Sequence, residues 1–127
     1  MISAGARAAA KPKRGEVWRV ELEPIRGSEQ DKTRPVVVMS AANVGRPTVF
    51  VCVPITGFQN VHATFDWCVP IAPDTINGLT KPSTVDASQI RALDVERFET
   101  KLGKLSSLAI ESVAAAVVGC VGYKPNT

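Results

Sequence analysis

The sequence has few of the residues from which common catalytic centres are built. It contains one histidine, His62, and three widely spaced cysteines without a CxxC pair. It also lacks a glycine-rich phosphate loop, an HExxH or GxSxG motif, and paired carboxylates at metal-binding spacing. We therefore expect no metal site and no cofactor, and we place His62 on a solvated loop. Metal-dependent and nucleophile-based catalysis are both disfavoured.

Disulfides and membrane spans are equally poorly supported. An odd number of cysteines in apolar surroundings, Cys52, Cys68 and Cys120, favours buried thiols in a reducing compartment. No stretch approaches the ~18 apolar residues of a membrane span. The start, "MISAGARAAAKPKR", lacks the apolar centre of a secretory signal. These features predict a cytoplasmic protein with no membrane association.

The positive net charge is concentrated at the amino terminus. The formal charge is +3, but the first fourteen residues hold four of the fifteen basic residues and no acid, which leaves −1 for residues 15–127. Bulk charge is therefore no argument for nucleic-acid binding by the fold proper. With 127 residues and 45% hydrophobic content, we predict one core. The predicted organisation is a flexible basic arm over 1–13, a single domain over 14–123 and a tail over 124–127.

Short apolar runs predict several β-strands. "GEVWRVELEP" alternates like a half-buried strand, and "RPVVVMS" and "TVFVCVPIT" are β-branched runs typical of central strands. "ATFDWCVPI" predicts a fourth strand, "PDTINGLTKPS" a loop, and "STVDASQIRALD" a further strand. For residues 95–105 we predict a helical turn followed by a short strand.

The last element is predicted to be an amphipathic helix. Ser106 can cap it, Gly119 and Gly122 can end it, and apolar residues recur at three- and four-residue spacing: Ile110, Val113, Ala114, Val117 and Val121. Several strands close in sequence followed by one helix indicate an α+β, mostly β fold. We expect a small antiparallel β-barrel or half-barrel.

One stretch, "RGSEQDKTRPVVVMS", joins a polar loop to a buried strand through Arg34 and Pro35. Proline restricts the preceding residue to extended backbone, so the guanidinium leaves the strand start in a defined direction. A planar, permanently charged fork in that place suits a phosphate. On these residues alone, a plain surface arginine is the alternative.

The blocks "RGEVWRVELEPIRGSEQDKTRPVVVMS", "VPIT" and "ASQIRALD" resemble, in order and spacing, the MazF/PemK family of toxin endoribonucleases. The resemblance spans about residues 14–120. It implies an SH3-like barrel with a C-terminal helix and an active homodimer. It also implies single-stranded RNA as substrate, and as partner a cognate antitoxin whose disordered acidic segment blocks the RNA groove.

The resemblance also implies site residues. The family's catalytic arginine falls on Arg34, its catalytic serine or threonine on Thr56, and the acid of its GSEQ loop on Glu29. Ser28 and Gln30 of that loop would frame the nucleotide, and Gln89 would help hold the RNA. Ser88 stands where relatives commonly carry Asp or Glu, which leaves the base preference open.

Base recognition is predicted for the segment "GFQNVHATF". Single-stranded RNA is read by stacking on aromatic side chains and by hydrogen bonds to base edges. The candidates are Phe58, Gln59 and His62, with Phe65 as either a base contact or a core residue. Two alternatives to the nuclease stay open: a CcdB-like non-enzymatic toxin that binds DNA gyrase, and a catalytically silent RNA-binding barrel.

Overall fold

The computed structural model describes residues 11–22, 33–41, 44–45 and 47–124. The described chain forms seven strands and one C-terminal helix. The strands are β1 (Glu16–Glu21), β2 (Thr33–Val38), β3 (Val49–Gly57), β4 (Cys68–Ile71), β5 (Ser83–Asp86), β6 (Arg91–Asp94) and β7 (Phe98–Lys104). The helix is α1 (Ser107–Cys120), and short 3-10 turns lie at Asn60–Thr64, Ala87–Gln89 and Val95–Arg97.

All the strand pairs are antiparallel. The path runs β4-β5-β3-β2-β1-β7, and β6 pairs with the first half of β3 while β5 pairs with its end. The mostly antiparallel sheet with one C-terminal helix confirms the predicted fold class. Pairing among the described residues forms an open path, so the term barrel is approximate.

Two hydrophobic clusters, and not the predicted single core, lie on opposite sides of the central strands. Burial on both sides explains why these strands read as continuous apolar runs. The main core holds Val17, Val37, Val53 and Ile55 with Val113 of α1. The second core holds the alternate residues: Trp18, Val20, Val36, Val38, Cys52, Leu93 and Phe98. The prediction that β1 is half-buried was wrong, because its Val17 is fully buried on the side opposite Trp18 and Val20.

The sequence pattern also misplaced two other strands. The fourth strand begins only at Cys68, because a 3-10 turn occupies Asn60–Thr64. "STVDASQIRALD" forms two strands, because Asp86 caps a 3-10 turn by accepting a hydrogen bond from the Ser88 amide (3.0 Å). The predicted turn and strand over residues 95–105 are confirmed.

Helix α1 begins as predicted. The Ser106 hydroxyl accepts a hydrogen bond from the Ala109 amide (3.1 Å), and Ile110, Ala114 and Val117 pack against the main core. The predicted last apolar position was wrong: Val121 follows the helix and is 72% exposed. Within the described part of the chain, no helix is long and apolar enough to cross a membrane.

All three cysteines are free thiols. The prediction that they are buried holds for Cys52 and Cys68 but is wrong for Cys120, which is exposed at the end of α1. Burial raises the pKa of the Cys52 thiol to about 12, although the nearby Arg91 charge acts in the opposite direction. Burial, together with the Asp86 carboxylate, also raises the pKa of Cys68. Both buried thiols therefore stay protonated at neutral pH.

The loop between β4 and β5 is held rigidly. The buried Asn77 side chain donates to the Ala72 carbonyl (2.9 Å) and accepts from the amides of Asp74 (3.1 Å) and Leu79 (2.9 Å). Gly78, at φ +73°, and Gly103 of β7 allow close approach, because a Cβ at either position would collide with backbone of the facing segment. This rigid loop leads directly into Lys81 and Pro82.

Glu16 links β1 to β7 and should make stability depend on pH. Its carboxylate accepts from Trp18 Nε1 and the Lys13 amide (both 2.9 Å) and pairs with Lys101 (3.0 Å). Burial raises its pKa, but these contacts outweigh burial and hold the pKa below the ordinary 4.5. A depressed folded pKa gives stability that is present above 4.5 and lost as pH falls through the folded value.

We therefore expect Glu16→Gln to lower the free energy of unfolding at pH 7 by about 1–3 kcal/mol. Urea unfolding of both proteins should show the difference shrinking as pH falls below 4.5. Glu111→Gln is the control, since the Glu111 side chain is 77% exposed and its ion pair with Arg14 is long (4.0 Å). A Glu16→Gln deficit that stayed constant down to low pH would contradict this assignment.

Candidate RNA-cleavage site

Arg34 lies at the start of β2, where the apolar run begins. It is exposed, whereas Val36, Val37 and Val38 are fully buried. Arg34 pairs with Val20 of β1 and shares a side of the sheet with Val36. Its backbone is therefore fixed by β1, while the exposed guanidinium lies at the margin of the second core.

Thr56 lies at the end of β3, two residues past the last β3 residue that pairs with β2. The β2–β3 pairs run from Val38 with Cys52 to Val36 with Pro54. Continued by two residues, the same register sets Arg34 across from Thr56, and directly opposite residues share a side of the sheet. Thr56 also pairs with Thr84 of β5, which fixes it from the other side. The two predicted catalytic residues are thus brought to one end of the sheet.

A concavity of about 420 Å³ opens at this end of β3. It is lined by Thr56, Gly57, Phe58, Gln59, Lys81 and Pro82. The Phe58 amide donates to the Pro82 carbonyl (3.0 Å), so strand-like pairing with the β5 side continues just past Gly57. The predicted residues Thr56, Phe58 and Gln59 therefore share one hollow.

The predicted base-reading segment is ordered by its own contacts. The Gln59 amide donates to Nδ1 of His62 (2.9 Å), and the rings of Phe58 and His62 meet edge to face at 5.9 Å. Because Nδ1 accepts this bond, the neutral ring carries its proton on Nε2. His62 is partly buried and lies in a surface 3-10 turn, with Nε2–H available as a donor.

Phe65 is placed outside this group. Its ring stacks on Trp67 with centroids 4.7 Å apart and planes 9° from parallel. Trp67 lines a different groove, of about 650 Å³ between β4 and α1. The core interpretation of Phe65 is not supported, because neither hydrophobic cluster includes it.

Gln89 is exposed at the end of the 3-10 turn that joins β5 to β6. This turn contacts β3, which pairs with β5 over one stretch and with β6 over another. The neighbouring Ser88 hydroxyl donates to the Asp86 carboxylate (2.6 Å). An acid is therefore present beside position 88, although it is two residues earlier in the chain.

Three predicted site residues, Ser28, Glu29 and Gln30, lie outside the described residues. Sequence reasoning missed Lys81, which lines the concavity beside Thr56. The only signal was a lysine next to Pro82 just before a strand, and that pattern is common on surface loops. Its importance follows from the strand register, which the sequence alone does not specify.

Residues 13–119 match the model of a family described as "PemK-like, MazF-like toxin of type II toxin-antitoxin system". The chain belongs to this family. Its relatives include Endoribonuclease MazF9 of Mycobacterium tuberculosis strain ATCC 25618 / H37Rv, 33% identical over 112 residues, which cover 83% of this chain and 92% of the relative. Endoribonuclease MazF of Staphylococcus saprophyticus subsp. saprophyticus is 37% identical over 107 residues, which cover 83% of this chain and 87% of the relative.

A solved structure described as an endoribonuclease in complex with its cognate antitoxin from Mycobacterial species has the same fold. It is 22% identical, and the match has a TM-score of 0.69 and covers 91% of this chain and 99% of that chain. Membership of the MazF/PemK family favours the nuclease over the gyrase-binding alternative. The family resemblance drawn from the sequence motifs is confirmed.

Proposed function

We propose that this protein is the toxin of a type II toxin–antitoxin pair and cleaves single-stranded RNA without a metal ion. The observation that supports the proposal is the antiparallel register of β2 and β3, which, extended by two residues past Val36 and Pro54, would bring Arg34 across from Thr56 in a chain of this family. The endoribonuclease names of the relatives with 33% and 37% identity support the same activity.

The proposed reaction uses the RNA's own 2′-hydroxyl as nucleophile. Its oxygen gives up its proton to Glu29 or to water and bonds to the neighbouring phosphorus. The bond from phosphorus to the 5′-oxygen breaks, and that oxygen takes a proton from solvent, so the products are a cyclic phosphate and a 5′-hydroxyl. The protein must hold the attacking oxygen in line and stabilise the charge that builds on the phosphoryl oxygens. Arg34 supplies charge and two parallel donors, and Thr56 supplies a neutral hydroxyl donor.

The role of each side chain in proton transfer is assigned from its acid–base chemistry. Arginine stays protonated and is a poor base. Glu29 is the carboxylate that family resemblance places in the loop before Arg34. We propose that Glu29 either accepts the 2′-hydroxyl proton or holds Arg34 in place. These roles are separable, because loss of a base changes the pH–rate profile whereas loss of a support lowers the rate at every pH.

Base recognition is assigned to the hollow beside Thr56. Phe58 offers a ring for stacking, Gln59 an exposed amide and His62 an Nε2 donor, all within one short segment. We propose that Ser28 and Gln30 frame the nucleotide from the preceding loop and that Gln89 holds the RNA farther along. Each supplies donors and acceptors for a base edge or a sugar.

The test of the proposal is cleavage of a mixed set of single-stranded RNA oligonucleotides by the purified protein in EDTA. We expect products that end in a cyclic or 3′-phosphate and begin with a 5′-hydroxyl. Activity that required added magnesium would overturn the proposed mechanism. A folded protein that bound RNA and cut none would leave the silent binding barrel as the function.

We also propose that the active form is a homodimer in the cytoplasm and that an antitoxin with a disordered acidic segment inhibits it. The antitoxin complex of the structural relative supports the second part. Such a segment would pair its carboxylates with Arg34 as it folds on the surface. Sedimentation at micromolar concentration tests the dimer. Cleavage that persisted with the antitoxin demonstrably bound would refute the blocking model.

A further inference from the structure

Lys81 stands at a fixed point beside the proposed site. Its carbonyl accepts a hydrogen bond from the Ser83 hydroxyl (2.8 Å), and Ser83 pairs with Gly57 in the β3–β5 ladder. The next carbonyl, of Pro82, accepts from the Phe58 amide (3.0 Å). The preceding loop is held by the buried Asn77. The lysine backbone is thus tied to the strand that carries Thr56.

The Lys81 side chain occupies the space that Gly57 leaves open. A Cβ added at Gly57 would lie 3.3 Å from both Cε and Nζ of Lys81. At this distance a methyl group on residue 57 would require the end of the lysine side chain to shift by a few tenths of an ångström. The missing side chain of Gly57 lets the lysine lie across the end of β3, next to Thr56 in the chain but on the side of the strand opposite the Thr56 side chain.

Among the described residues that line this concavity, Lys81 is the only one with a formal charge; the others are Thr56, Gly57, Phe58, Gln59 and Pro82. Within the part of the chain that the structure describes, no carboxylate forms an ion pair with it. A solvated ammonium that pairs with no carboxylate of the described residues, in a hollow that Thr56 also lines, is suited to a second phosphate.

We propose that Lys81 binds a phosphate of the RNA adjacent to the scissile one and so positions the strand over Thr56. The inference rests on the proposed function and adds a residue to it. Arg34 and Lys81 would then lie on either side of Thr56, one contacting the reacting phosphate and the other its neighbour. Lys81 is a positioning residue, since it takes no part in bond making.

Its test uses binding, measured with an RNA oligonucleotide made uncleavable by a 2′-deoxynucleotide at the cut. Lys81→Met keeps the aliphatic stem and removes the charge. We expect it to weaken affinity about two- to fivefold at low salt and to lower the slope of log affinity against log salt by about 0.7, the value for one single-strand phosphate contact. Lys81→Arg should retain the parent slope.

Lys124→Met is the matched control. It removes the same charge from the segment that follows α1. That helix ends at Cys120, which lines the β4–α1 groove together with Cys68. Cys68 pairs with Asp86 at the last residue of β5, whereas Lys81 precedes the first residue of β5. The control charge therefore lies toward the other end of β5. We expect this control to keep the parent affinity and slope. Equal losses in the two variants would show a general charge effect and overturn the assignment.

Gly57→Ala provides a test that keeps the charge. The added methyl should shift the ammonium by a few tenths of an ångström and weaken binding by less than Lys81→Met does, and it should have no further effect when Lys81 is already methionine. Independent, additive losses in the double variant would show that Gly57 acts by another route. An unchanged salt slope for Lys81→Met in a protein that still cleaves RNA would refute the role of Lys81 alone. Absence of cleavage by the parent protein would instead refute the proposed function.

Discussion

An RNA substrate with a single 2′-deoxynucleotide on the 5′ side of the cut should not be cleaved at that bond. The proposed nucleophile is the hydroxyl that this substitution removes, and the proposed mechanism assigns attack on phosphorus to no other group. The expected loss of cleavage is complete within detection, which exceeds the loss expected from any single change in the protein. Gel analysis of end-labelled substrate under single-turnover conditions measures it.

The controls separate loss of the nucleophile from loss of binding. When the deoxynucleotide is placed one position to either side, the original bond should still be cleaved. Any change in the cleavage rate should be no larger than the loss of one contact to a sugar hydroxyl would cause. The uncleaved substrate should still compete with RNA for the protein. Cutting of the deoxy-substituted bond at the parent rate would mean that water or a protein group attacks phosphorus.

Arg34→Ala should lower the single-turnover rate by about 10²–10³, and Thr56→Ala should lower it less. Removing one preorganised donor to a developing charge typically costs rate of this order. A charge-assisted bidentate contact is roughly twice as strong as a neutral hydrogen bond, which sets the order of the two variants. Arg34→Lys should recover part of the rate only, because a single ammonium cannot make both parallel bonds.

Both variants should remain folded, since Arg34 is exposed and Thr56 only partly buried at the end of its strand. Near-ultraviolet circular dichroism reports this through Trp18, whose ring packs against Phe98 at 5.6 Å. Thr56→Val preserves the shape and removes only the hydroxyl. If Thr56→Val kept the parent rate while Thr56→Ala did not, the role of Thr56 would be packing.

The sequence predicts strands and helices well where the local pattern of residues is compatible with only one type of structure. The valine run after Pro35, the β3 run and the Ser106 cap all lie as expected, because burial and capping act within a few residues. The pattern failed where tertiary contact decides. Val17 was misjudged because alternation cannot reveal a second buried side, and Val121 because three- and four-residue spacing continues past the end of α1.

For the site, the sequence predicted the residue types and the strand register supplied their arrangement. Arg34 and Thr56 are twenty-two positions apart, and only the β2–β3 register, extended past Val36 and Pro54, indicates that they lie close together. Lys81 and Trp67 carried no local signal, since a loop lysine and a surface tryptophan are ordinary until their neighbours are known. The roles of Ser28, Glu29, Gln30 and Gln89 remain predictions from family resemblance.

The double pairing along β3 has a consequence for how this protein can change in evolution. β3 is matched to β2 along one edge and to β6 and then β5 along the other. Inserting or deleting one residue within it would exchange the residues that face the two cores and move Thr56 away from Arg34 at the same time. Among descendants of this chain we therefore expect insertions and deletions in the segments between strands, whereas β3 should change only by substitution.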